Sequence, residues 1–233
     1  MCFLILIQFD AKICYNRRKT CEESCENAVV GVMIAVIDYD AGNLKGVKKA
    51  LEYLGEPCCV TRKRQDILGA DKVILPGVGA FGDAMDHLRT FGLDEVLREV
   101  AARRIPLLGI CLGLQLLFES SEESPGVSGL GILKGRILHI PRTEGLKVPH
   151  IGWNSLHLQN EGRLFRGLSE QCYVYFVHSY FLQADEPEIV KATCEYGTLI
   201  HASVEQDEVF ACQFHPEKSG EVGLTILKNF AAL

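Results

Sequence analysis

From residue 33 onward, short unbroken apolar runs alternate with stretches in which apolar residues recur every three or four positions. The run Met33-Ile-Ala-Val-Ile-Asp38 precedes Leu44, Val47, Leu51 and Leu54, which share one face of a helix. Lys72-Val-Ile-Leu75 is a second such run, and Leu93, Val96, Leu97 and Val100 mark a further helical face. Pro106-Leu-Leu-Gly-Ile110 is a third run and leads into the apolar helix Leu114-Gln-Leu-Leu-Phe118. Short apolar strands separated by helices predict a parallel sheet covered on both faces. From about residue 130 to 215 the texture changes to Gly, Pro and β-branched residues. There Tyr173 to Val177, Leu199 to Val204 and Val209 to Phe214 predict strands, some antiparallel, and a last helix aligns Val222, Ile226 and Phe230. The expected fold class is α/β: a mostly parallel central sheet flanked by helices, with an added antiparallel strand region.

The first 32 residues lack this pattern. Phe3 to Ile7 is apolar, but Gln8 and Asp10 interrupt it well short of signal-peptide or membrane-spanning length. Residues 11 to 28 are polar, charge-balanced and aperiodic. Because the first strand begins at a methionine, Met33 reads as the biological start, or else residues 1–32 as a non-catalytic extension of a domain at 33–233. Within 233 residues, 48% apolar content is ample for one packed core. The net charge of -6 offers no footprint for nucleic acid, and no membrane segment is expected. Ten cysteines without paired spacing do not form a disulfide framework. Cys58 and Cys59 read as small apolar residues near a strand, and Cys14, Cys21 and Cys25 lack both C-x-x-C spacing and a nearby histidine. No metal site is expected, and the setting is read as reducing and cytoplasmic.

Gly109-Ile-Cys-Leu-Gly-Leu-Gln115 is the most informative stretch, because it joins a buried strand to an apolar helix through a turn flanked by glycines. That is the context of a nucleophile elbow, with Cys111 at the tip and the positive end of the new helix facing it. Read alone, Cys111 is equally a buried core thiol; a base decides between the two. Of the seven histidines, His215 stands out because it ends the strand Val209-Phe-Ala-Cys-Gln-Phe214 and is followed by Pro216 and Glu217. In extended backbone, residues two apart project on the same side, so Glu217 is expected to reach His215 and fix its tautomer. Pro216 ends strand pairing and stiffens the arrangement.

Gly109-Ile-Cys-Leu-Gly-Leu-Gln115 with Phe214-His-Pro-Glu217 resembles the class I, triad-type glutamine amidotransferases, whose fold is a flavodoxin-like α/β sheet. Asp38-Tyr-Asp-Ala-Gly-Asn-Leu44, Pro76-Gly-Val-Gly-Ala-Phe-Gly82, Pro149-His-Ile-Gly-Trp-Asn154, Phe176-Val-His-Ser-Tyr180 and His215-Pro-Glu-Lys-Ser219 are similar, more narrowly, to the glutaminase subunits of imidazole glycerol phosphate synthases. The likeness runs from Met33 to the C-terminus; Asp40 departs from it, standing where a small residue, often glycine, is expected.

Gly77-Val-Gly-Ala-Phe-Gly82 also satisfies the dinucleotide pattern G-x-G-x-x-G. It is not on the first strand, Pro76 precedes it, and no ribose-binding acid follows, so an oxyanion hole is the better reading. The resemblance implies backbone donors at Val78 or Gly79 and at Leu112, and substrate contacts at Gln115, His178, Ser179 and Tyr180. It places Asn43, Trp153 and Lys218 at a partner-facing mouth. A structural role for His178 and a plain surface charge for Lys218 stay open. What the resemblance implies is a Cys111-His215-Glu217 glutaminase without a cofactor, acting on L-glutamine and passing ammonia to a (β/α)8-barrel cyclase in a heterodimer for histidine biosynthesis. Two alternatives remain: the glutaminase of another synthase, such as that for anthranilate or pyridoxal phosphate, and a non-catalytic module on the same fold.

Overall fold

The computed structural model describes residues 33–40 and 42–233. The readings of residues 1–32 as an extension, and of Cys14, Cys21 and Cys25 as holding no metal, lie outside the described residues. The apolar runs become the inner strands β1 (Ile34–Ile37), β3 (Lys72–Gly77) and β4 (Leu107–Cys111), every residue of which is buried. Such strands have no face to offer water, and they lie side by side in parallel register. β2 (Cys58–Thr61) adds to the outer side of β1, and β12 (Val209–Cys212) to the far side of β4, both parallel.

Beyond β12 the sheet turns antiparallel through β11 (Leu199–Gln206), β10 (Val190–Glu195), β7 (His150–Leu158) and β8 (Gln171–His178). The nine-stranded order is therefore β2-β1-β3-β4-β12-β11-β10-β7-β8. A small second sheet joins β5 (Ser120–Ser121), β6 (Gly135–His139) and β9 (Tyr180–Ala184). Alternate strand residues feed two apolar layers. Ala35, Ile37, Val73, Leu75 and Leu107 face one side; Ile34, Val36, Ile74, Leu108 and Phe210 face the other.

Among the described residues the α-helices are α1 (Leu44–Tyr53), α2 (Arg64–Gly69), α3 (Phe81–Thr90), α4 (Leu93–Ala102), α5 (Leu112–Leu116) and α6 (Gly220–Ala231). α1, α4 and α6 carry the periodic faces read from the sequence. α2 and α3 do not stand out there: α2 buries only Ile67, and α3 begins inside the glycine loop although Phe81, Ala84, Met85 and Leu88 line its buried face. β1 and β3 lie on either side of the point where the chain reverses its direction of travel across the sheet, so the carboxyl ends of β1, β3, β4 and β12 open on one crevice.

Candidate active site

Cys111 is the last residue of β4 and adopts φ 55, ψ -107, a conformation that costs a residue with a Cβ some strain. Its surroundings impose that geometry. A Cβ on Gly113 would lie 1.8 Å from the Leu75 carbonyl oxygen, and one on Gly109 would lie 2.8 Å from that of Gly113. The turn therefore closes only with glycine at both positions, and the thiol is thrust above the sheet. Cys111 opens on a cleft of about 440 Å³, whose walls also include Val78, Gly79, Leu112, Gln115, Glu123, His178, Ser179, Tyr180, His215 and Lys218. The Cys111 Sγ lies 3.9 Å from the Val177 carbonyl and 3.8 Å from Gln213 Nε2.

His215 comes to the same cleft from the carboxyl end of β12, with its Nδ1 2.7 Å from Glu217 Oε1. Both side chains are buried. The contact expected from the sequence is present, but the expected extended backbone is not. Pro216–Lys218 forms a 3-10 turn, because the chain must swing directly into α6. Gly223 of α6 packs so tightly on this turn that a Cβ there would stand 1.8 Å from the Pro216 carbonyl oxygen. Ser219, buried, ties the turn down by donating to the His215 carbonyl and accepting from Tyr175 N–H.

Glu217 Oε1 also accepts from Asn43 Nδ2 at 2.5 Å. Asn43, expected at the partner-facing mouth, is thus half-buried and turned toward the acid. Burial lowers the affinity of His215 for a proton, but hydrogen bonding to Cys111 and Glu217, with their negative charge, outweighs it and lifts the imidazole to about 9. Among the described residues His215 Nε2 has no partner in strict hydrogen-bond geometry, so its hydrogen bond to Cys111 is a loose one.

Along the opposite wall, Gln115 Nε2 donates to the Tyr180 carbonyl and to Gln213 Oε1, each at 3.1 Å. His178 uses both ring nitrogens internally: Nδ1 donates to the Tyr180 carbonyl at 2.9 Å, which leaves Nε2 to accept from His150 Nδ1 at 3.1 Å. Its ring is thereby held neutral; burial drives it down to about 3, and burial drives its neighbour His150 to about 4. His178 consequently shapes the cleft by fixing the Tyr180 backbone rather than by presenting a free ring nitrogen. Ser179 and Tyr180 line the cleft beside it.

The glycine loop Val78–Ala80 lies between β3 and α3. The first two amides of α3 are occupied, Phe81 N–H by Glu123 Oε2 at 2.8 Å and Gly82 N–H by Ser124 Oγ at 3.0 Å, so side chains already hold the donors with which a helix end would cradle a phosphate there. The Tyr39 hydroxyl donates to the Pro76 carbonyl and fills the space where a Gly77 Cβ would stand, 2.4 Å away. Val78 and Gly79 thus enter the cleft from a strand end braced beneath, opposite Leu112.

Trp153 is 56% exposed, on the outer face of β7 with Ile151, and its ring meets Tyr175 edge-on at 6.1 Å. Lys218 is exposed at the cleft rim. Asp40 explains its own departure from the resembled pattern. Its φ is 64, in the region glycine favours, and the Arg62 guanidinium that bridges it to Asp38 compensates for the missing freedom. Among the described residues there is no group of three or more metal-ligating side chains, and no helix is long and apolar enough to cross a membrane. Glu123, Gln213, Tyr39 and Ser219 were not singled out from the sequence. Only Gln213 carried a local signal, two residues before His215 in the run that the sequence marks as a strand.

A profile of the glutamine amidotransferase class-I family matches residues 35–232. The imidazole glycerol phosphate synthase subunit HisH of Moorella thermoacetica is 52% identical over 200 residues, which cover 86% of this chain and 94% of that protein. The same subunit of Methanocaldococcus jannaschii is 48% identical over 201 residues, covering 86% of this chain and all of that one (100%). That of Bacillus subtilis is 48% identical over 205 residues, with 86% and 96% covered. Among solved structures, the chain resembles a glutamine amidotransferase with a TM-score of 0.67 at 23% identity, covering 87% of this chain and 100% of that one. It also resembles PurLQS of Thermotoga maritima, with a TM-score of 0.66 at 20% identity and 86% and 98% covered. These two likenesses speak for the fold alone.

Proposed function

Since the chain belongs to the class I glutamine amidotransferases, and within them to the family of imidazole glycerol phosphate synthase HisH subunits, we propose that it hydrolyses L-glutamine to glutamate and ammonia and delivers the ammonia to a cyclase subunit. The observation that carries this reading is the convergence of Cys111 and His215 from two strand ends on one cleft, with Glu217 buried behind the imidazole and bonded to it.

Cys111 attacks the carboxamide carbon of glutamine, with His215 taking the thiol proton. The oxyanion that forms faces the backbone of Val78, Gly79 and Leu112, where N–H donors would stabilise it. His215 returns its proton to the departing nitrogen, ammonia leaves, and a γ-glutamyl thioester remains on Cys111. Water, deprotonated by His215, then hydrolyses the thioester to glutamate and restores the thiol. Glu217, itself held by Asn43, steadies the imidazole's far side throughout. Glutamine is a zwitterion, and Glu123 and Lys218 are the carboxylate and ammonium on the cleft wall able to pair with its two charges. Gln115, with its amide nitrogen occupied, offers Oε1 to the substrate ammonium. No cofactor enters this chemistry.

The ammonia acceptor is proposed to be a (β/α)8-barrel cyclase bound as a heterodimer, which forms imidazole glycerol phosphate and an aminoimidazole carboxamide ribotide in histidine biosynthesis. What supports a docking face is the exposed apolar surface of Ile151, Trp153 and Tyr173, which continues through Val177 to the cleft. A nucleophilic thiol at the working end suits a reducing compartment, and we assign the chain to the cytoplasm. Replacing Cys111 with Ala should abolish glutamine-dependent product formation by the complex while leaving the cyclase's use of free ammonium salts unchanged. Glutamate release that survives the substitution would overturn the assignment.

A further inference from the structure

Gln213 is completely buried one residue beyond β12, with its side chain between Gln115 and Cys111. A carboxamide has two ends that differ in hydrogen-bonding role but hardly in shape, so its orientation must follow from its partners. Here a backbone carbonyl settles it. The Tyr180 oxygen can only accept, so the end of Gln115 that meets it at 3.1 Å is the nitrogen. That same nitrogen lies 3.1 Å from Gln213, which must answer with its oxygen. The nitrogen of Gln213 is then left facing Cys111 Sγ, at 3.8 Å, within the longer reach of a sulfur acceptor.

Two backbone and side-chain groups therefore compete for the sulfur. The Val177 carbonyl, 3.9 Å away, can only accept and so favours the protonated thiol. A donor on the other side favours the anion, and a hydrogen bond to a charged acceptor in a buried site is stronger than one to a neutral acceptor. We propose that Gln213 is a catalytic hydrogen-bond donor to the Cys111 sulfur, oriented by Gln115 and Tyr180, which stabilises the thiolate as nucleophile and again as leaving group when the thioester is hydrolysed. This rests on Cys111 being the nucleophile.

The test is alkylation of Cys111 in the full chain by iodoacetamide, followed by mass spectrometry of the peptide that carries it, from about pH 6 to about pH 10. Gln213→Met keeps the volume and removes the donor. Its alkylation rate at neutral pH should fall about tenfold, with the rate-pH profile displaced upward by about one unit. Gln115→Met leaves Gln213 in place but frees its amide to turn over, and should give a smaller loss in the same direction. An unchanged profile in a folded Gln213→Met chain overturns the proposal; if that variant does not fold, an unchanged profile in Gln115→Met does so. Alkylation needs no turnover, so a failure here is distinct from a failure of the glutaminase reading, which is decided by glutamate release from Cys111→Ala.

Discussion

At the scale of single residues, buried histidines contribute to how stability varies with pH, and they act in opposite senses. His215 binds its proton more tightly in the fold, at about 9 against an ordinary 6.5. Its contribution is complete below pH 6.5 and is lost as the pH rises toward about 9. His150 and His178, at about 4 and about 3, bind theirs less tightly than an unfolded chain does. Their contribution is complete above the ordinary value of 6.5 and disappears as the pH falls toward 4 and 3. Together these three contributions favour neutral pH over either extreme. Glu217→Gln removes the carboxylate that helps to raise His215, so the decline in Tm between pH 6.5 and about 9 should become shallower while the acid decline stays as it was. Thermal unfolding followed by circular dichroism at a series of pH values measures both limbs; an alkaline limb as steep as the parent's would show that Glu217 does not hold the proton on His215.

At the scale of elements, the inner parallel strands β1, β3, β4 and β12 were legible because each is a block of buried residues with no solvent face, whereas the edge strand β2, with Val60 exposed, was not. The elbow was legible for the same reason: glycines at 109 and 113 flanking a cysteine have no use in a continuous strand or helix. β7 was not, because His150, Gly152 and Asn154 occupy its inward positions and Ile151 and Trp153 its outward ones, reversing the pattern by which a half-buried strand is recognised. Likewise the 3-10 turn at Pro216–Lys218 depends on Gly223 and Ser219, whose contacts are made only when α6 packs back on the turn. Asn43 reaches Glu217 across 174 positions, a separation no local pattern encodes. The glycine argument can be tested directly. Gly113→Ala must displace either the Leu75 carbonyl or the Cys111 turn, and it should cost about 3 kcal/mol or more. Denaturant unfolding gives that figure, and Cys111 alkylation should slow even where folding survives. A stable, fully reactive Gly113→Ala chain would mean the elbow tolerates a side chain that its geometry excludes.

At the scale of the whole molecule, the two halves of the sheet divide the work. Parallel strands supply the nucleophile, the glycine loop and the histidine at their carboxyl ends. The antiparallel strands wall the cleft with Val177 to Tyr180 and turn an aromatic face outward. β7 and β8 are paired so that Ile151, Trp153 and Ser155 stand opposite Val177, Tyr175 and Tyr173, all on the side away from the core. An apolar face that runs to the mouth of a cleft releasing ammonia is where we propose that the acceptor sits, since the product would otherwise escape. Large aromatic side chains commonly dominate the energy of such contacts. Trp153→Ala and Tyr173→Ala should each weaken association with the proposed cyclase subunit by about 2 kcal/mol, a Kd increase of roughly 30-fold. Isothermal titration of the two subunits reads the affinity, and iodoacetamide alkylation of the isolated variants should match the parent, because neither residue lines the cleft. Affinity unchanged in both variants would move the docking face elsewhere; loss of Cys111 reactivity along with affinity would make the β7–β8 pair a support of the active site instead of a surface for a partner.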